Sequence, residues 1–306
     1  MRFNIDGYYE IGASHSICED YILISKPNEN FCFGIICDGC TGSPSTEMGA
    51  RIIAHHAKKA IDELYKFDPF FATQNIQPLV MPIAKKIISG EAENSARFLG
   101  LPIECLDVTT WILLTSKKGE DITFSVMGWG DGQIIVRKKN SFCIYVVNYP
   151  SQAPFYLNYY FNDVRMETYK KNFSPDLEFS LIVSTAGTVD DPGNKRMISK
   201  EIRPCNTPTV LHLLNNPQDP IISVSICSDG FKTFNSGLNP ETEEYGSLIW
   251  ASERIIDYQS FEGVFVERRM KALARRDAKE NIKHHDDIGM VSVLLLEEEE
   301  NGQGHN

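Results

Sequence analysis

The 306-residue sequence carries little positive charge and contains no long apolar run. Its formal net charge of −11 disfavours nucleic acid and anionic membranes as partners, because both need a basic surface to bind. No apolar run approaches the length that spans a bilayer, and residues 1–21 lack the basic start and apolar stretch of a secretory signal. The 42% hydrophobic content is ample for a buried core. We therefore expect a cytoplasmic, monomeric protein.

A second paired-cysteine motif is also missing. Cys37 and Cys40 have the spacing of a redox pair or of half a zinc site, but no other cysteine or histidine pair at a suitable spacing accompanies them. The other cysteines are scattered, and several lie in apolar, strand-like runs. We interpret most of the eight cysteines as reduced core residues.

What the sequence has instead is β-structure. Strand-like runs occupy residues 21–24, 31–37, 109–115, 123–129, 133–137, 142–147, 179–183, 221–227 and 289–296. Helical periodicity marks residues 48–65, 77–99, 247–258 and 261–282. Strands and helices come in blocks and do not alternate one by one. This order argues against a doubly wound parallel sheet and predicts an α+β fold of antiparallel sheets covered by helices.

Two segments do not fit this pattern. Residues 148–176 are rich in Tyr, Asn and Phe, contain Pro150 and Pro154, and show no firm period, which indicates a long loop or an irregular insertion or flap. Residues 297–306 form an acidic tail with glycines that suits solvent better than a core. We expect one domain over residues 1–296, followed by a flexible tail.

Acidic residues stand at the ends of the apolar runs. Three runs are followed by an Asp-Gly step, at Asp38-Gly39, Asp131-Gly132 and Asp229-Gly230. Glu19-Asp20 precedes the first run, and Asp286-Asp287 precedes the last. A single Asp-Gly step is commonly just a turn, since both residues favour turns for backbone reasons.

The joint pattern indicates more than turns. Charged residues at the ends of core strands can converge in space. Carboxylates packed within a few ångströms repel one another steeply unless cations neutralise them. Hard oxygen ligands in this number are typical of Mg2+, Mn2+ or Ca2+ sites and disfavour zinc or copper. The sequence therefore predicts a divalent-metal site.

The same residues give the sequence a resemblance to the type 2C family of metal-dependent serine/threonine protein phosphatases, including its bacterial branch. Six segments resemble motifs of the family, in the family's order. The first acidic pair is resembled by Glu19-Asp20, the Asp-Gly motif leading into a helix by Phe33–Gly39 with Gly42 and Glu47–Arg51, and the threonine pair by Thr109-Thr110. The Gly-Asp-Ser motif is resembled by Gly130–Gly132, the Ser-Asp-Gly motif by Ser228–Phe231 and the Asp-Asn motif by Asp286–Ile288. One motif alone is weak evidence, but six in order, over most of the chain, identify the family.

The resemblance implies two antiparallel sheets packed as a sandwich, flanked by helices on both sides, with two or three Mg2+ or Mn2+ ions at one edge. Asp38 would bridge two ions, and Asp131 with Asp229 would hold the third. The full set of implied metal-site residues is Glu19, Asp20, Asp38, Gly39, Asp131, Asp229 and Asp286.

The resemblance also implies the reaction. A water bridging two cations becomes a hydroxide near neutral pH and can attack phosphorus in line, while the ions offset charge on the phosphoryl oxygens. Asp38, Asp229 and Glu19 would carry this site, a phosphorylated protein would be the substrate, and no phosphoenzyme would form. A cysteine-dependent phosphatase is disfavoured, since no cysteine has an arginine six positions on.

Four positions depart from the family pattern, and one of them, Gly132 in place of the usual serine, removes no ligand. His15 stands where many relatives have a phosphate-binding arginine, so it either binds phosphate when protonated or is held by local hydrogen bonds. Cys40 stands where some relatives have a histidine that protonates the leaving group, and a thiol is a poor acid for that task. Asp287 replaces the usual asparagine without removing a ligand.

Two other interpretations remain open. His284–Asp287, with His55-His56, resembles the metal site of a His-Asp phosphohydrolase, but those enzymes are helical, and here a β-like run follows directly. A pseudophosphatase would keep the fold as a binding or regulatory module without turnover. The changes at His15 and Cys40 favour that alternative, and the complete acidic set argues against it.

Overall fold

The computed structural model describes residues 1–185, 196–235, 246–280 and 282–296, and within them the strands form two antiparallel sheets. The larger sheet has the order β1-β14-β11-β6-β7-β8-β9. Its strands are β1 (Arg2–Glu10), β14 (Ile288–Leu296), β11 (Ile221–Cys227), β6 (Gly132–Lys138), β7 (Ser141–Asn148), β8 (Asp176–Thr185) and β9 (Arg196–Pro204).

The smaller sheet has the order β10-β5-β4-β3-β2. Its strands are β10 (Thr209–Leu214), β5 (Asp121–Trp129), β4 (Val108–Lys118), β3 (Phe31–Gly39) and β2 (Tyr21–Ile24). A short ribbon pairs β12 (Phe234–Asn235) with β13 (Lys283–His284). Every pairing in both sheets is antiparallel, as the order of helices and strands along the sequence predicts.

Strand β3 shows why its residues 31–37 are all apolar. Phe33 and Ile35 pack with helix α1 (Thr46–Phe67) in one core cluster, while Cys32 and Ile36 pack between the two sheets in another. Successive side chains of a strand point to opposite faces, so a strand covered on both faces is apolar throughout.

Helices cover both outer faces of the sandwich. On the smaller sheet lie α1, α2 (Val80–Ile87) and α3 (Glu93–Phe98), and on the larger sheet lie α5 (Gly246–Ile256) and α6 (Phe265–Glu280). The four layers therefore run helices, sheet, sheet, helices, and the predicted fold class is confirmed. Within the described residues no helix is both long and apolar enough to cross a membrane.

Several elements differ from the sequence prediction. Strands β1, β9 and β10 were not predicted; each is an edge strand with one neighbour, and polar residues interrupt its apolar pattern. The helix predicted over 77–99 is divided by a π-helical turn, Ile88–Ala92. The helix predicted from Phe261 begins at Phe265, where Asp6 accepts hydrogen bonds from the amides of Val266 and Glu267.

The segment 148–176 has local structure that its sequence did not indicate. It forms a 3-10 turn, Leu157–Phe161, and helix α4, Asp163–Asn172, which begins where the Asn162 side chain accepts the amide of Arg165. The predicted tail, 297–306, lies outside the described residues.

The two sheets approach most tightly at Gly34. A Cβ atom added there would lie 2.2 Å from Cγ1 of Val291, on the facing strand β14. Real Cβ atoms do not approach other carbons so closely, so the absence of a side chain at residue 34 is a condition for this packing.

We expect Gly34→Ala to lower the free energy of unfolding by about 1–3 kcal/mol, because the added methyl group overpacks the interface between the sheets. Urea denaturation measures the change. Val291→Ala is the matched variant, because it removes the atom that the new methyl group meets. The double variant should be less destabilised than the sum of the two single variants, by about 1 kcal/mol, and strict additivity would contradict the contact.

Candidate functional site

The acidic residues at the strand ends meet at one edge of the sandwich. They line a cavity of about 260 Å³ together with residues from the loop after β3 and from the segment 148–176. Six of the lining residues are acidic: Glu19, Asp38, Asp131, Asp229, Asp286 and Asp287. Among the lining residues of the described chain, only His15 can carry a positive charge.

Asp38 lies at the end of β3, deep in this cluster. Burial raises its pKa well above the usual value, and the charges of Asp20, Asp229 and other nearby carboxylates add to the effect. A carboxyl group in such surroundings holds a proton unless a cation takes its place.

Asp20 lies behind the cavity wall and does not line it. Its side chain is fully buried; Oδ2 accepts a 2.7 Å hydrogen bond from Ser228 Oγ, and Oδ1 has no hydrogen-bond partner. Burial raises the pKa of Asp20 to about 8, the charge of Asp287 adds to the rise, and hydrogen bonds to Ser228 and Asp38 oppose it. An orphaned buried carboxylate oxygen beside Asp38 fits a supporting position behind a metal ligand.

Asp131 occupies the turn between β5 and β6. Thr109 Oγ1 donates a 3.3 Å hydrogen bond to its Oδ1, and Trp111 Nε1 donates a 2.6 Å hydrogen bond to its backbone oxygen. Burial and the charge of Asp229 raise the pKa of Asp131 to about 7, against an opposing effect of the nearby Lys232 ammonium. The turn is therefore fixed, with its carboxyl group facing the cluster.

Glu19 is oriented by two threonine hydroxyls. Thr46 donates to Oε1 and Thr41 donates to Oε2, each at 2.8 Å. The amide of Gly39 donates to the backbone oxygen of Glu19 at 3.3 Å. These contacts connect Glu19 to the loop after β3 and to the start of α1, so its carboxylate has one defined direction.

His15 lies between two carboxylates. Its Nε2 is 3.4 Å from Asp286 Oδ1, and its Nδ1 is 3.1 Å from Asp287 Oδ2. Burial lowers the pKa of His15, but contact with Asp287 and the charges of Asp287, Asp286 and Glu19 outweigh burial, so the pKa lies above its usual value. The carboxylates on either side therefore favour protonation of the imidazole, against the effect of burial.

Asp287 has a role that the sequence did not reveal. Its carboxylate accepts hydrogen bonds from the amides of Gly12, at 2.7 Å, and Glu19, at 2.6 Å. Ligand atoms of His15, Glu19 and Asp287 lie within 4.8 Å of one another. Asp287 thus joins the chain before β2 to the chain before β14; the only sequence signal for it was its place beside Asp286.

The structure brings together most of the residues predicted for the site. Asp38, Gly39, Glu19, Asp131, Asp229, Asp286 and His15 all line the cavity, and Asp20 lies behind it. Sequence reasoning missed the contributions of Thr41, Thr109, Gln152, Pro154 and Tyr156. The last three come from the segment 148–176, whose lack of periodicity gave no indication of where it packs.

The donor set fits a hard divalent cation. Six carboxylates converge on one cavity, and burial with the charge of Asp229 raises the pKa of one of them, Asp131, to about 7. Behind the cavity wall, Asp20 has a pKa raised to about 8 and one buried oxygen without a hydrogen-bond partner. Carboxylate and backbone oxygens are what Mg2+ and Mn2+ prefer, and the lining contains no thiolate or imidazole set that would favour zinc within the described chain.

Comparison with known proteins assigns the family. Residues 11–285 match the model of the protein phosphatase 2C family, so the chain belongs to that family. The predicted family is therefore confirmed, and with it the predicted enzyme class, protein serine/threonine phosphatase.

Solved structures with the same fold include a bacterial serine phosphatase, with a TM-score of 0.51 and 12% identity over 97% of this chain and 99% of that chain. A sex-determining protein of C. elegans has a TM-score of 0.51 and 13% identity over 97% of this chain and 65% of that chain. These low identities establish the fold alone. No curated protein matches the sequence.

Without divalent ions, the carboxylate cluster should make the free energy of unfolding depend on pH. Because the pKa values of Asp20 and Asp131 are raised to about 8 and about 7, the folded protein keeps protons that the unfolded chain releases above about pH 4. In EDTA the free energy of unfolding should therefore fall between pH 5.5 and 8, by about 1.4 kcal/mol per pH unit for each proton retained.

Urea denaturation of the wild type and of Asp38→Asn at several pH values measures this fall. The variant removes one charge from the cluster, so its free energy of unfolding should depend less steeply on pH. Equal pH dependence in the two proteins would show that the carboxyl groups do not repel one another in the folded state.

Proposed function

We propose that this protein is an active, metal-dependent phosphoprotein phosphatase that hydrolyses phosphoserine or phosphothreonine. The observation that carries the proposal is the convergence of six carboxylates on one cavity with a single basic residue among its lining residues in the described chain. Such a concentration of charge is stable only with bound cations or bound protons. Membership of the protein phosphatase 2C family supplies the reaction class.

We assign the metal-binding roles as follows. Asp38, Asp229 and Asp286 would hold one ion, and Asp38, Glu19 and the Gly39 carbonyl would hold another. Support for this assignment comes from the place of these residues around one cavity and from the pKa of Asp38, which burial and the neighbouring carboxylates raise well above its usual value.

The remaining residues prepare the ligands. Asp20 lies against Asp38 as a buried supporting group, and Thr41 and Thr46 hold Glu19 in one orientation. Asp131, with Asp229, would hold a third ion. When bound, Mg2+ or Mn2+ at such a site activates a water for attack on phosphorus and offsets charge on the phosphoryl oxygens.

One observation favours the alternative of an inactive binding module. His15, at the position of a phosphate-binding arginine, already contacts Asp286 and Asp287, and so has limited freedom to bind a phosphate. A protein that binds metal and phosphoprotein without turnover would be consistent with this contact.

We expect hydrolysis of p-nitrophenyl phosphate and of a phosphothreonine peptide in Mn2+ or Mg2+ and none in EDTA. Asp38→Asn should reduce kcat/KM by at least about 100-fold, because a bridging carboxylate is lost while the side-chain shape is kept. Asp121→Asn, an exposed change of the same charge at the start of β5, is the control and should leave activity unchanged.

The outcomes separate the candidate functions. Turnover that survives both EDTA and Asp38→Asn would contradict the metal-dependent mechanism. A Mn2+-dependent increase in melting temperature, lost in Asp38→Asn, without turnover on either substrate would instead identify the inactive module.

A further inference from the structure

The segment 148–176 contributes a wall to the acidic cavity. Gln152, Pro154 and Tyr156 line it together with the carboxylates. The Tyr156 side chain is 7% exposed and lies beside Cys40, the residue that follows Gly39. A tyrosine side chain therefore lies next to the position where some relatives carry a histidine.

One buried carboxylate, Asp107, fixes this wall to the metal-site loop. Its side chain accepts hydrogen bonds from Ser43 Oγ at 3.0 Å, from Asn158 Nδ2 at 2.9 Å and from the guanidinium of Arg165. Its backbone oxygen accepts the amide of Cys40 at 3.0 Å. Asp107 thus holds the loop that carries Cys40 and the chain that carries Tyr156 in one hydrogen-bond network.

Aromatic packing completes the attachment. The Arg165 guanidinium lies 4.8 Å from the centre of the Tyr159 ring, and the Tyr169 hydroxyl donates to the backbone oxygen of Ala153 at 2.5 Å. Phe155 packs edge-on against Tyr159, Tyr160 and Tyr169. The chain on either side of Tyr156 is therefore held by buried contacts, and its ring packs edge-on against Tyr159.

The cavity has few groups that can donate a hydrogen bond to a phosphate. His15 contacts two carboxylates, and the hydroxyls of Thr41 and Thr109 donate to Glu19 and Asp131. Burial raises the pKa of Tyr156 far above its usual value, and the neighbouring Cys40 adds to the rise, so the hydroxyl keeps its proton. Together with the side-chain amide of Gln152, the Tyr156 hydroxyl is therefore a neutral donor on this wall.

We propose that Tyr156 binds the phosphoryl group of the substrate by donating a hydrogen bond from its hydroxyl, and that Asp107 and Arg165 are positioning residues that hold it there. This inference rests on the proposed function, because it assigns a phosphate contact in the same cavity. It gives the segment 148–176 a direct part in substrate binding and supplies a donor where the chain lacks the family's arginine.

Tyr156→Phe tests the proposal, with Tyr160→Phe as the matched control, since Tyr160 is in the same segment but does not line the cavity. In the Mn2+-loaded full chain, Tyr156→Phe should weaken binding of inorganic phosphate, measured by calorimetry, and raise KM for p-nitrophenyl phosphate, each about tenfold, because a hydrogen bond to a charged group is lost. Changes in kcat and in Mn2+ affinity should be less than about threefold.

A double variant tests the positioning role. Asp107→Asn should weaken phosphate binding about threefold in the wild type and should have no further effect in Tyr156→Phe, because its influence passes through the hydroxyl. Independent, additive losses would show that Asp107 is only structural. Thermal melts identify any variant that fails to fold.

The calorimetric measurement separates this proposal from the proposed function. Phosphate affinity in Tyr156→Phe equal to that of the wild type and of Tyr160→Phe would overturn it, as would a Mn2+-loaded wild type that binds no phosphate. Phosphate binding that depends on Tyr156, in a protein with no turnover, would support it while contradicting the proposed activity.

Discussion

Mutual repulsion among buried carboxylates is the constraint on which the rest of this structure depends. Asp20 is fully buried, and burial together with the charges of neighbouring carboxylates raises the pKa values of Asp20, Asp38 and Asp131. Packing of the two sheets holds the three residues at one edge, because each lies at the end of a strand. The fold therefore accepts a local cost at its edge, and a bound divalent cation would offset that cost.

Rigid packing around the cluster is what keeps the ligands from moving apart. The sheets meet without a side chain at Gly34, two threonine hydroxyls fix Glu19, and Asp287 joins two distant parts of the chain through backbone amides. The wall formed by the segment 148–176 is held by the hydrogen bonds that Asp107 accepts from Asn158 and Arg165. A site whose residues lie at strand ends, with one wall formed by the firmly attached segment 148–176, can keep its geometry when ions and substrate exchange.

The sequence predicts the acidic residues of the site well, because the hydrophobic pattern shows where each buried strand ends. Asp38 ends β3 in the smaller sheet and Asp229 follows β11 in the larger sheet, and the packing of the two sheets brings both residues to one cavity. The same reasoning fails where the pattern is weak. Edge strand β1 includes Asp6 and Gly7, so its apolar pattern is interrupted. The segment that carries Tyr156 has no period, and its packing depends on aromatic contacts within the segment and on hydrogen bonds to Asp107, far along the chain. No local rule predicts those contacts.

The most direct test of this account is calorimetry of Mn2+ binding at pH 7 in two buffers with different ionisation enthalpies. If the metal-free cluster holds protons because its carboxyl groups repel one another, binding should release about one proton per protein, seen as a buffer-dependent heat. Mn2+ binding with no proton release would contradict the repulsion among the carboxyl groups. Absence of Mn2+ binding would contradict the metal site itself.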